Sequence, residues 1–544
     1  MGQMTGGEAV VQSLAGEGVD LVFGLPGVQI MSIYDAFHDN SDIKIITTRH
    51  EQTAAYMADG YARVTGRPGV ALVAPGPGVQ NASAALGTAY ASSSPVLLLT
   101  GQVKRSEIGR DYGALHEIND QLDLVRPVTK WCRRVMDIGE IPETVQQAML
   151  QMQSGRPRPV EIEIPPDILD TTGEIHPVES VPVKRMEADA QVVKRAAELL
   201  RKAKKTFIWA GGGVQSADAS EELTSLAEAL GAPVATTPEG KGSIPEDHIL
   251  SLGSCYYGHG ASSWAAHKAD VLFAVGTRMY EQLKGLNKPR KLQKLIQLDV
   301  DSKVIGSRYP AEVGMECDAR AGMQALLKEI GRDKLPVRWT EGELEELRGK
   351  QNRWLEKHAS PQCRIIRSIQ ERLSDDAIIV SGVNNVAYWS YFSYVVRRPR
   401  SYITPSYFAT LGFSFPTALG AKVGAADRTV VSLIGDGGFM YALPDLATAV
   451  QYNINVVVVV FVDNAFGASK DDQRTRYQGR MVGTDLLNPS FSELARLFGA
   501  YAETVEPEEI GDALSRAIAQ EKPAVIEVPI PTWIPPFQVS PRRA

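Results

Sequence analysis

The chain has 544 residues, of which 44% are hydrophobic and 22% are charged, with a formal net charge of −7. This length accommodates about three domains of ordinary size, and the acidic balance argues against a nucleic-acid or membrane-surface partner. No apolar run reaches membrane-spanning length and no secretory signal is visible, so we expect a cytoplasmic protein whose widely spaced cysteines (Cys132, Cys255, Cys317 and Cys363) are buried thiols.

Alternating apolar and helical patterns predict a first α/β domain over residues 1–170. Strands are predicted at residues 20–24, 43–48, 70–74, 95–100 and 159–164. Helices are predicted at residues 6–16, 54–64 and 81–92. Regular alternation of this kind is typical of a mostly parallel sheet.

A linker is expected at residues 165–188, before a second α/β domain over residues 190–330. The second domain has predicted strands at residues 206–210, 233–236, 269–277 and 295–300. A charged, partly helical linker at residues 332–359 precedes a third domain over residues 360–544. We therefore predict an α/β protein of three domains, each a mostly parallel sheet flanked by helices.

The third domain contains a strand–turn–helix–strand unit between residues 430 and 467. Its first strand ends in a glycine-rich turn made of Gly435, Asp436, Gly437 and Gly438. Its second strand, at residues 456–462, ends in Asp463 and Asn464. Ligands bind at the carboxyl ends of strands in open α/β sheets, a glycine turn before a helix favours a diphosphate, and carboxylates suit Mg²⁺. An isolated turn of this type would be an ordinary surface turn, but the second acidic strand end predicts a metal–diphosphate site.

Glu51 follows the second predicted strand and opens a helix. Taken alone, it could simply complement the helix dipole, which contributes about 0.3–1 kcal/mol. A carboxylate at the carboxyl end of a strand also faces the crevice where ligands bind. Together with the glycine turn, this position favours a functional role.

These features resemble the family of thiamine-diphosphate-dependent enzymes over nearly the whole chain, and the acetolactate synthase-like branch most of all. The resemblance lies in FGLPG at residues 23–27, RHEQTAAYMADGYAR at 49–63, GPGVQNA at 76–82, PVLLLTGQV at 95–103 and SGRPRPVEIEIPPD at 154–167. It implies that Glu51 hydrogen-bonds N1′ of the cofactor's aminopyrimidine, whose N4′ takes the proton from the thiazolium C2.

The same resemblance implies the remaining cofactor contacts. Leu411 would wedge between the two cofactor rings, beside Ala409. The Mg²⁺ ligands would be the side chains of Asp436 and Asp463 and the carbonyl of Ala465, with Asn464 replacing Asp463 if the strand shifts by one residue. Other positions that match cofactor-binding residues are Pro26, Asn81, Asn384, Asn385, Gly435, Gly437, Gly438, Phe466 and Gly467.

The substrate-site positions differ from those of the synthases. Leu115 and His116 stand where synthases have Phe-Gln, Pro166 replaces a Lys and Asp472 replaces a Trp. His116 is either a proton relay near the thiazolium or a structural loop histidine. The polar run at residues 470–474 either closes over the substrate or is a solvated helix face. The candidate substrate residues are Leu25, Gln80, Leu115, His116 and Lys470.

The second domain resembles the FAD-binding domain of the synthases at residues 211–213 (GGG) and 276–278 (GTR). The residues that follow, Met279 to Gln282, do not match the family and argue against FAD. Together with the altered substrate-site positions, they argue against true acetolactate synthesis. An NAD-dependent oxidoreductase is disfavoured because no acidic residue is suitably placed for the ribose.

The resemblance implies an enzyme that decarboxylates a 2-oxo acid (or related acyl donor) and passes the acyl carbanion to a proton or a carbonyl acceptor. It also implies a homodimer or homotetramer with active sites at the subunit interface. Two alternatives are a 2-hydroxyacyl-CoA lyase or oxalyl-CoA decarboxylase-like enzyme, faintly favoured by Arg542 and Arg543, and a non-catalytic cofactor-binding homologue. Glu51 argues against the latter, because a simple binding protein has little use for it.

Overall fold

The computed structural model describes residues 2–256, 258–279, 293–331 and 339–539. Across these ranges, no helix combines the length and the apolarity needed to cross a membrane. Three of the four cysteines are buried, Cys132 is half-buried, and all four are free thiols. The segments Tyr280–Gln282 and Arg542–Arg543, on which two sequence-based arguments rest, lie outside the described residues.

The amino-terminal part of the chain forms a parallel sheet with helices on both faces. Its strands are β1 (Gly2–Thr5), β2 (Leu21–Gly24), β3 (Lys44–Thr47), β4 (Gly69–Val73), β5 (Val96–Gly101), β6 (Trp131–Arg134), β7 (Val160–Ile164) and β8 (Thr172–Ile175). Its helices are α1 (Gly6–Gly16), α2 (Met31–His38), α3 (Glu51–Thr65), α4 (Pro77–Ser92), α5 (Gln121–Val125), α6 (Ile141–Gln153) and α7 (Pro166–Leu169). The six sheet strands pair in the order β3-β2-β4-β5-β7-β6, all in parallel.

Part of the stretch expected to be a linker is regular structure. Residues 166–175 form α7 and β8, and β8 pairs antiparallel with the amino-terminal strand β1. The sequence hides this ribbon because neither strand has an apolar run. The predicted helix at residues 6–16 coincides with α1, which begins with a capping box between Thr5 and Glu8.

The middle part of the chain forms a second sheet. Its strands are β9 (Thr206–Ala210), β10 (Val234–Thr236), β11 (Ser251–Ser254), β12 (Val271–Val275), β13 (Lys294–Asp299) and β14 (Val313–Glu316). Its helices are α8 (Ala190–Lys202), α9 (Gly212–Ser216), α10 (Ser220–Leu230), α11 (Ala261–Lys268) and α12 (Ala319–Ile330). The strands pair in parallel in the order β11-β10-β9-β12-β13-β14.

The carboxyl-terminal part forms the third sheet, in the order β16-β15-β17-β18-β20-β19, again in parallel. These strands are β15 (Ile378–Ser381), β16 (Tyr402–Ile403), β17 (Val430–Gly435), β18 (Val456–Val462), β19 (Tyr501–Thr504) and β20 (Ala524–Pro529). The helices are α13 (Glu341–Gln370), α14 (Asn385–Ser393), α15 (Ser414–Gly424), α16 (Asp436–Phe439), α17 (Leu446–Gln451), α18 (Gly467–Arg476), α19 (Phe491–Leu497) and α20 (Ile510–Ile518). The predicted three parallel α/β sheets are confirmed.

The charged linker expected before the third domain is largely the long helix α13. Its backbone leaves the helical region at Ala359, and Pro361 follows inside the helix. A proline lacks the amide hydrogen and clashes with the preceding turn, which explains the kink. The kink therefore lies at the position where the sequence predicted the third domain to begin.

Helices α3 and α15 join the first sheet to the third. A Cβ built on Gly60 of α3 would lie 2.0 Å from the Thr417 carbonyl oxygen, and one on Gly420 of α15 would lie 1.9 Å from the Met57 carbonyl oxygen. The two backbones are thus in direct contact. Around them a single apolar cluster extends from strands of the first sheet, such as β5, to strands of the third, such as β18.

We predict that Gly60→Ala destabilises the protein by at least about 1–3 kcal/mol, because the added methyl group must push two backbones apart. The measurement is the midpoint of thermal unfolding. The matched control is Gly342→Ala in α13, where a Cβ meets nothing within 4 Å. That change should be neutral or stabilising by about 0.4–1 kcal/mol. Equal midpoints for the two variants would contradict the close contact.

Candidate active site

The predicted glycine turn lies at the carboxyl end of β17, and Asp436 is its centre. The Asp436 side chain is only 2% exposed. Its Oδ1 accepts a hydrogen bond from the Gly437 amide at 2.8 Å, and its Oδ2 accepts from the Asn464 amide and from Asn488 Nδ2, both at 2.8 Å. A Cβ on Gly437 would lie 2.8 Å from the Phe466 ring, so this position admits only glycine without a shift of that ring.

Two carboxyl groups meet at the ends of β17 and β18. Burial raises the pKa of Asp436 to about 6, and the neighbouring Asp463 carboxylate adds to this increase. Burial also raises the pKa of Asp463, although hydrogen bonds from Thr532 and from the Ala465 backbone oppose that change. Adjacent buried carboxylates that resist ionisation are suited to hold a cation, which would compensate both charges. The residues therefore fit a divalent metal.

The two candidate ligands on the second strand end have different surroundings. Asn464 has a positive φ of 51°, and its Oδ1 accepts a hydrogen bond from Asn488 Nδ2 at 3.1 Å. Through Asn488, this amide is linked to Asp436 Oδ2. The Asp463 carboxylate instead interacts with Thr532 and the Ala465 amide. Both residues stand beside Asp436, and both remain candidates.

Asn488 and Thr532 were not found from the sequence, because each comes from a distant segment. A β-bridge between Ala465 and Asp485 brings the first of these segments beside the strand end. In the same place, the Phe466 amide donates to the Thr484 carbonyl at 2.8 Å. No local pattern of residues marks such a contact.

The polar run after Gly467 lies on helix α18 and contains local ion pairs. Lys470 Nζ is 2.6 Å from Asp485 Oδ1, which anchors the helix start to the bridging segment. Asp472 pairs with Arg476 one turn later. The run thus contains one ion pair that links it to the segment beside the site and another on an exposed helix face.

Two further predicted cofactor residues lie at the start of helix α14, but only one lies at the turn. Asn384 Nδ2 donates to the Leu433 carbonyl at 3.0 Å, and a Cβ on Gly435 would lie 3.2 Å from Asn384 Cβ. Asn385 Nδ2 donates to the Trp533 carbonyl at 2.8 Å, so its side chain holds the carboxyl-terminal segment. The structure supports proximity to the glycine turn for Asn384 and a structural contact for Asn385.

The segment from Ala409 to Gly412 lies beside the same turn. Ala409 has a φ of 51° and Gly412 a φ of 79°. A Cβ on Gly412 would lie 2.7 Å from Tyr441 Cβ and 3.7 Å from the Gly438 carbonyl oxygen. Leu411, which precedes Gly412, is half-buried here. The predicted ring-wedge position and the predicted diphosphate turn are therefore neighbours.

Glu51 lies at the carboxyl end of the first sheet, as the first residue of α3. Its Oε2 accepts a hydrogen bond from Asn81 Nδ2 at 3.0 Å. Its Oε1 lies 3.5 Å from a Cβ built on Gly78, so the carboxylate borders the turn before α4. Among the described residues, no hydrogen bond joins Glu51 to the Gly435–Gly438 turn of its own chain.

The other predicted residues of the first domain surround Glu51 at the same end of the sheet. Pro26 and Gln80 are exposed and Leu25 is half-buried. The Leu115 carbonyl accepts from Gln29 Nε2 at 3.0 Å, and a Cβ on Gly76 would lie 2.3 Å from the His116 carbonyl oxygen. The Leu115–His116 loop is thus packed on the Gly76 turn.

His116 has an unusual conformation for a non-glycine residue. Its φ is 70°, and its buried Nδ1 has no hydrogen-bond partner within the described part of the chain. A positive φ costs free energy in a non-glycine residue and is enriched at functional sites. These features favour the catalytic interpretation of His116 over that of a satisfied structural residue.

A buried polar network supports this loop from below. Gln121 Oε1 accepts from the Gly76 amide at 2.8 Å, while Gln121 Nε2 donates to Glu163 Oε2 at 2.7 Å. Glu163 also pairs with Arg134 of β6. Glu161, two residues earlier on β7, is fully buried and neither of its oxygens has a partner among the described atoms. Burial, with the Glu163 charge, raises the pKa of Glu161 well above its ordinary value.

A separate cavity of about 740 Å³ lies where the three sheets meet. It is lined by the glycine segments 211–213 and 276–278, by Arg156 and Asp299, and by Tyr407 of the third domain. Arg156 Nη2 is 2.6 Å from Asp299 Oδ1, at the end of β13. The residues that resemble a nucleotide-binding domain therefore surround a cavity large enough for such a ligand.

Comparisons with known proteins agree with this arrangement. Residues 4–124 match the thiamine pyrophosphate enzyme N-terminal TPP binding domain, residues 193–326 the central domain, and residues 382–528 the C-terminal TPP binding domain. The chain belongs to the thiamine pyrophosphate enzyme family. The predicted family is thus confirmed. Thiamine pyrophosphate is another name for thiamine diphosphate, so the two matched binding domains support thiamine diphosphate as the cofactor. The three family descriptions name no flavin.

Curated relatives cover nearly the whole chain. A probable acetolactate synthase large subunit of Methanocaldococcus jannaschii is 36% identical, over 97% of this chain and 92% of that protein. A probable 2-ketoarginine decarboxylase of Pseudomonas aeruginosa is 34% identical, over 96% and 94%. The acetolactate synthase isozyme 3 large subunit of Escherichia coli is 33% identical, over 96% and 93%. This thiamine pyrophosphate enzyme is therefore acetolactate synthase-like.

From the burial of Glu161 we predict that the free energy of unfolding of the protein depends on pH. An acid whose pKa is raised by folding stabilises the folded state below its unfolded pKa, and this contribution is lost as the pH rises through the folded pKa. Glu161→Gln removes the titration, so the unfolding midpoint of the variant should gain on that of the wild type between pH 5 and pH 8. The corresponding gain in the free energy of unfolding is on the order of 1.4 kcal/mol for each unit by which folding raises the pKa of Glu161. A midpoint difference that is constant across this range would contradict the prediction.

Proposed function

We propose that this chain is a thiamine-diphosphate- and Mg²⁺-dependent enzyme that decarboxylates a 2-oxo acid and delivers the acyl group to a proton or to a carbonyl acceptor. The observation that carries this proposal is the pair of acidic sites at the carboxyl ends of two different sheets. Glu51 is oriented by Asn81 in one of them, and Asp436 is buried beside Asp463 in the other. The relatives named acetolactate synthase and 2-ketoarginine decarboxylase support the substrate class.

When bound, thiamine diphosphate supplies a nucleophilic thiazolium carbon and an electron sink. Glu51 would hold a proton at N1′ of the aminopyrimidine, and Asn81 would keep its carboxylate in place. Asp436, the Ala465 carbonyl and one of Asp463 or Asn464 would hold the Mg²⁺ that binds the diphosphate. Leu411 would support the cofactor rings from the segment beside Gly438.

His116 and its neighbours would form the substrate side of the site. The unpartnered, buried Nδ1 of His116 is available to exchange a proton with the substrate. Leu25, Gln80 and the exposed Leu115 would contact the acyl donor from the first domain. Lys470 is already paired with Asp485, so it would contribute to substrate binding only by leaving that ion pair.

The same geometry supports a site shared between subunits. Glu51 and Asp436 belong to different sheets, and no hydrogen bond joins Glu51 to the Gly435–Gly438 turn within the described part of one chain. Large apolar side chains near both sites are exposed: Leu115 is 64% exposed, Tyr441 56% and Val482 80%. Exposed apolar surface of this kind marks interaction sites. We propose a homodimer or homotetramer in which Glu51 of one subunit faces the Asp436 turn of its partner.

The cavity between the sheets supports a second candidate, a 2-hydroxyacyl-CoA lyase or oxalyl-CoA decarboxylase-like activity. Its volume of about 740 Å³ and its lining by glycine turns and Arg156 would suit the nucleotide part of a CoA thioester. A panel of free 2-oxo acids and matching CoA thioesters, with product detection, separates the candidates. Turnover of CoA thioesters alone would favour the second.

We predict that Glu51→Gln lowers the turnover rate by at least about 10²-fold, within the range typical of lost general acid–base catalysis. Affinity for thiamine diphosphate should change little, because the diphosphate and metal contacts lie on the other sheet. The measurement combines steady-state kinetics on the best 2-oxo acid with calorimetric titration of the cofactor. Full activity of the variant would exclude the proposed mechanism.

A separate prediction concerns the metal site and distinguishes Asp463 from Asn464 as its third ligand. Removing a ligand should weaken Mg²⁺ binding in the presence of thiamine diphosphate by roughly tenfold or more, whereas removing a supporting neighbour should have a smaller effect. We expect a large loss for Asp436→Ala and for Asp463→Ala, and a smaller one for Asn464→Ala. The reverse order for the last two variants would assign the role to Asn464. Unchanged Mg²⁺ affinity in Asp436→Ala would refute the site.

A further inference from the structure

A buried acid of the third domain, Asp445, holds in place the segment that carries Glu51. Asp445 directly precedes α17, and its side chain is 0% exposed. It lies in the connection between β17 and β18, the same connection that begins with the Gly435–Gly438 turn. No role was predicted for it from the sequence.

The donors that Asp445 accepts from are arranged on both sides of Glu51. Asp445 Oδ1 accepts from the Arg49 amide at 2.7 Å, and Asp445 Oδ2 accepts from Thr53 Oγ1 at 2.5 Å. A third donor, Thr448 Oγ1, lies 2.8 Å from Oδ1 within the third domain itself. The carboxylate thus fixes the residues before and after the turn from β3 into α3.

Other contacts, from α17 and from the residue that follows it, hold the start of this turn. The Tyr452 hydroxyl accepts from the Thr47 amide at 3.0 Å, and Thr448 Oγ1 is 3.4 Å from the Thr47 carbonyl oxygen. The Thr47–Thr53 turn is therefore attached to the third domain at its beginning, its middle and its end. Within the described residues, the Glu51 carboxylate itself accepts a single hydrogen bond, the one from Asn81 of its own domain.

A carboxylate is the side chain that can accept from all three of these donors. Three donors converge on two oxygens, and an ionised Asp accepts at both of them, whereas an amide accepts at one. Burying an acid is costly unless it is well hydrogen-bonded, and these bonds offset that cost.

We propose that Asp445 is a positioning residue that orients Glu51 for proton transfer at the aminopyrimidine of thiamine diphosphate. The proposal rests on the proposed function, in which Glu51 holds the proton at N1′. Asp445 does not touch the cofactor; it acts through the Arg49 amide and the Thr53 hydroxyl. Its loss would let the turn move while leaving the diphosphate and metal contacts intact.

The most direct readout needs no substrate. It is the rate at which the C2 proton of bound thiamine diphosphate exchanges with deuterium, measured by NMR after acid quench at saturating cofactor and Mg²⁺. We expect Asp445→Ala to slow this exchange roughly 10²-fold, the loss typical of a misplacement of about 1 Å. Affinity for thiamine diphosphate should change less than about threefold, because the binding contacts are retained.

A conservative variant and a matched control separate positioning from general damage. Asp445→Asn should restore exchange to within a few-fold of wild type, because its oxygen still accepts from Arg49 and its amide can donate to Thr53 Oγ1. Gln451→Ala removes another contact across the same seam, the 2.6 Å bond from Arg49 Nη2 to Gln451 Oε1. That variant leaves the backbone of the turn untouched and should exchange at the wild-type rate.

A double-mutant cycle then tests whether Asp445 acts through Glu51. In a Glu51→Gln background, Asp445→Ala should cause almost no further slowing, because the group that it positions is already gone. Equal slowing in both backgrounds, wild-type exchange in Asp445→Ala, or a loss confined to cofactor affinity would each overturn the proposal. If Asp445→Ala does not fold, Thr53→Val with Thr53→Ser as its control tests the same bond from the first domain. Normal exchange in Glu51→Gln would instead overturn the proposed function itself.

Discussion

The direct backbone contact between α3 and α15 fixes the relation between the first and third sheets. No side chain separates the helices at Gly60 and Gly420, so their distance cannot adjust through rotamer changes. Glu51 is the first residue of one helix, and the segment from Ala409 to Gly412 runs into the start of the other. The contact therefore sets the geometry of two parts of the candidate site at once.

Buried acids in this protein fall into groups that differ in how their charge is satisfied. Asp445 is surrounded by neutral hydrogen-bond donors and belongs to a rigid seam. Asp436 and Asp463 have donors as well, but they also repel each other, which leaves room for a cation. Glu161 has no donor among the described atoms, and Arg134 pairs with Glu163 instead. The degree of compensation, rather than burial alone, separates structural acids from those suited to bind a ligand.

Sequence patterns predicted the central parts of the fold better than its edges. Strand β18 is an uninterrupted apolar run, and β17 is nearly so, with only Ser432 among its apolar residues, because both faces of a parallel sheet are covered. The strand–turn–helix–strand unit that they form was predicted correctly. The strands β6, β11, β14 and β16 lie at or near sheet edges, are short or carry polar residues, and were not predicted. Asn488, Thr532 and Asp445 reach the site from distant segments or across domains. A polar residue with such a role looks like any surface residue until the chain is folded.

The pairing of β1 with β8 has a consequence for how the first domain could be rearranged during evolution. These strands begin and close the first domain, and they lie side by side from Gly2 with Ile175 to Thr5 with Thr172. The chain thus enters and leaves this domain at one point on its surface, as in units that tolerate permutation and insertion. A gene rearrangement that moved the domain elsewhere in the polypeptide would therefore need only one new connection at this point.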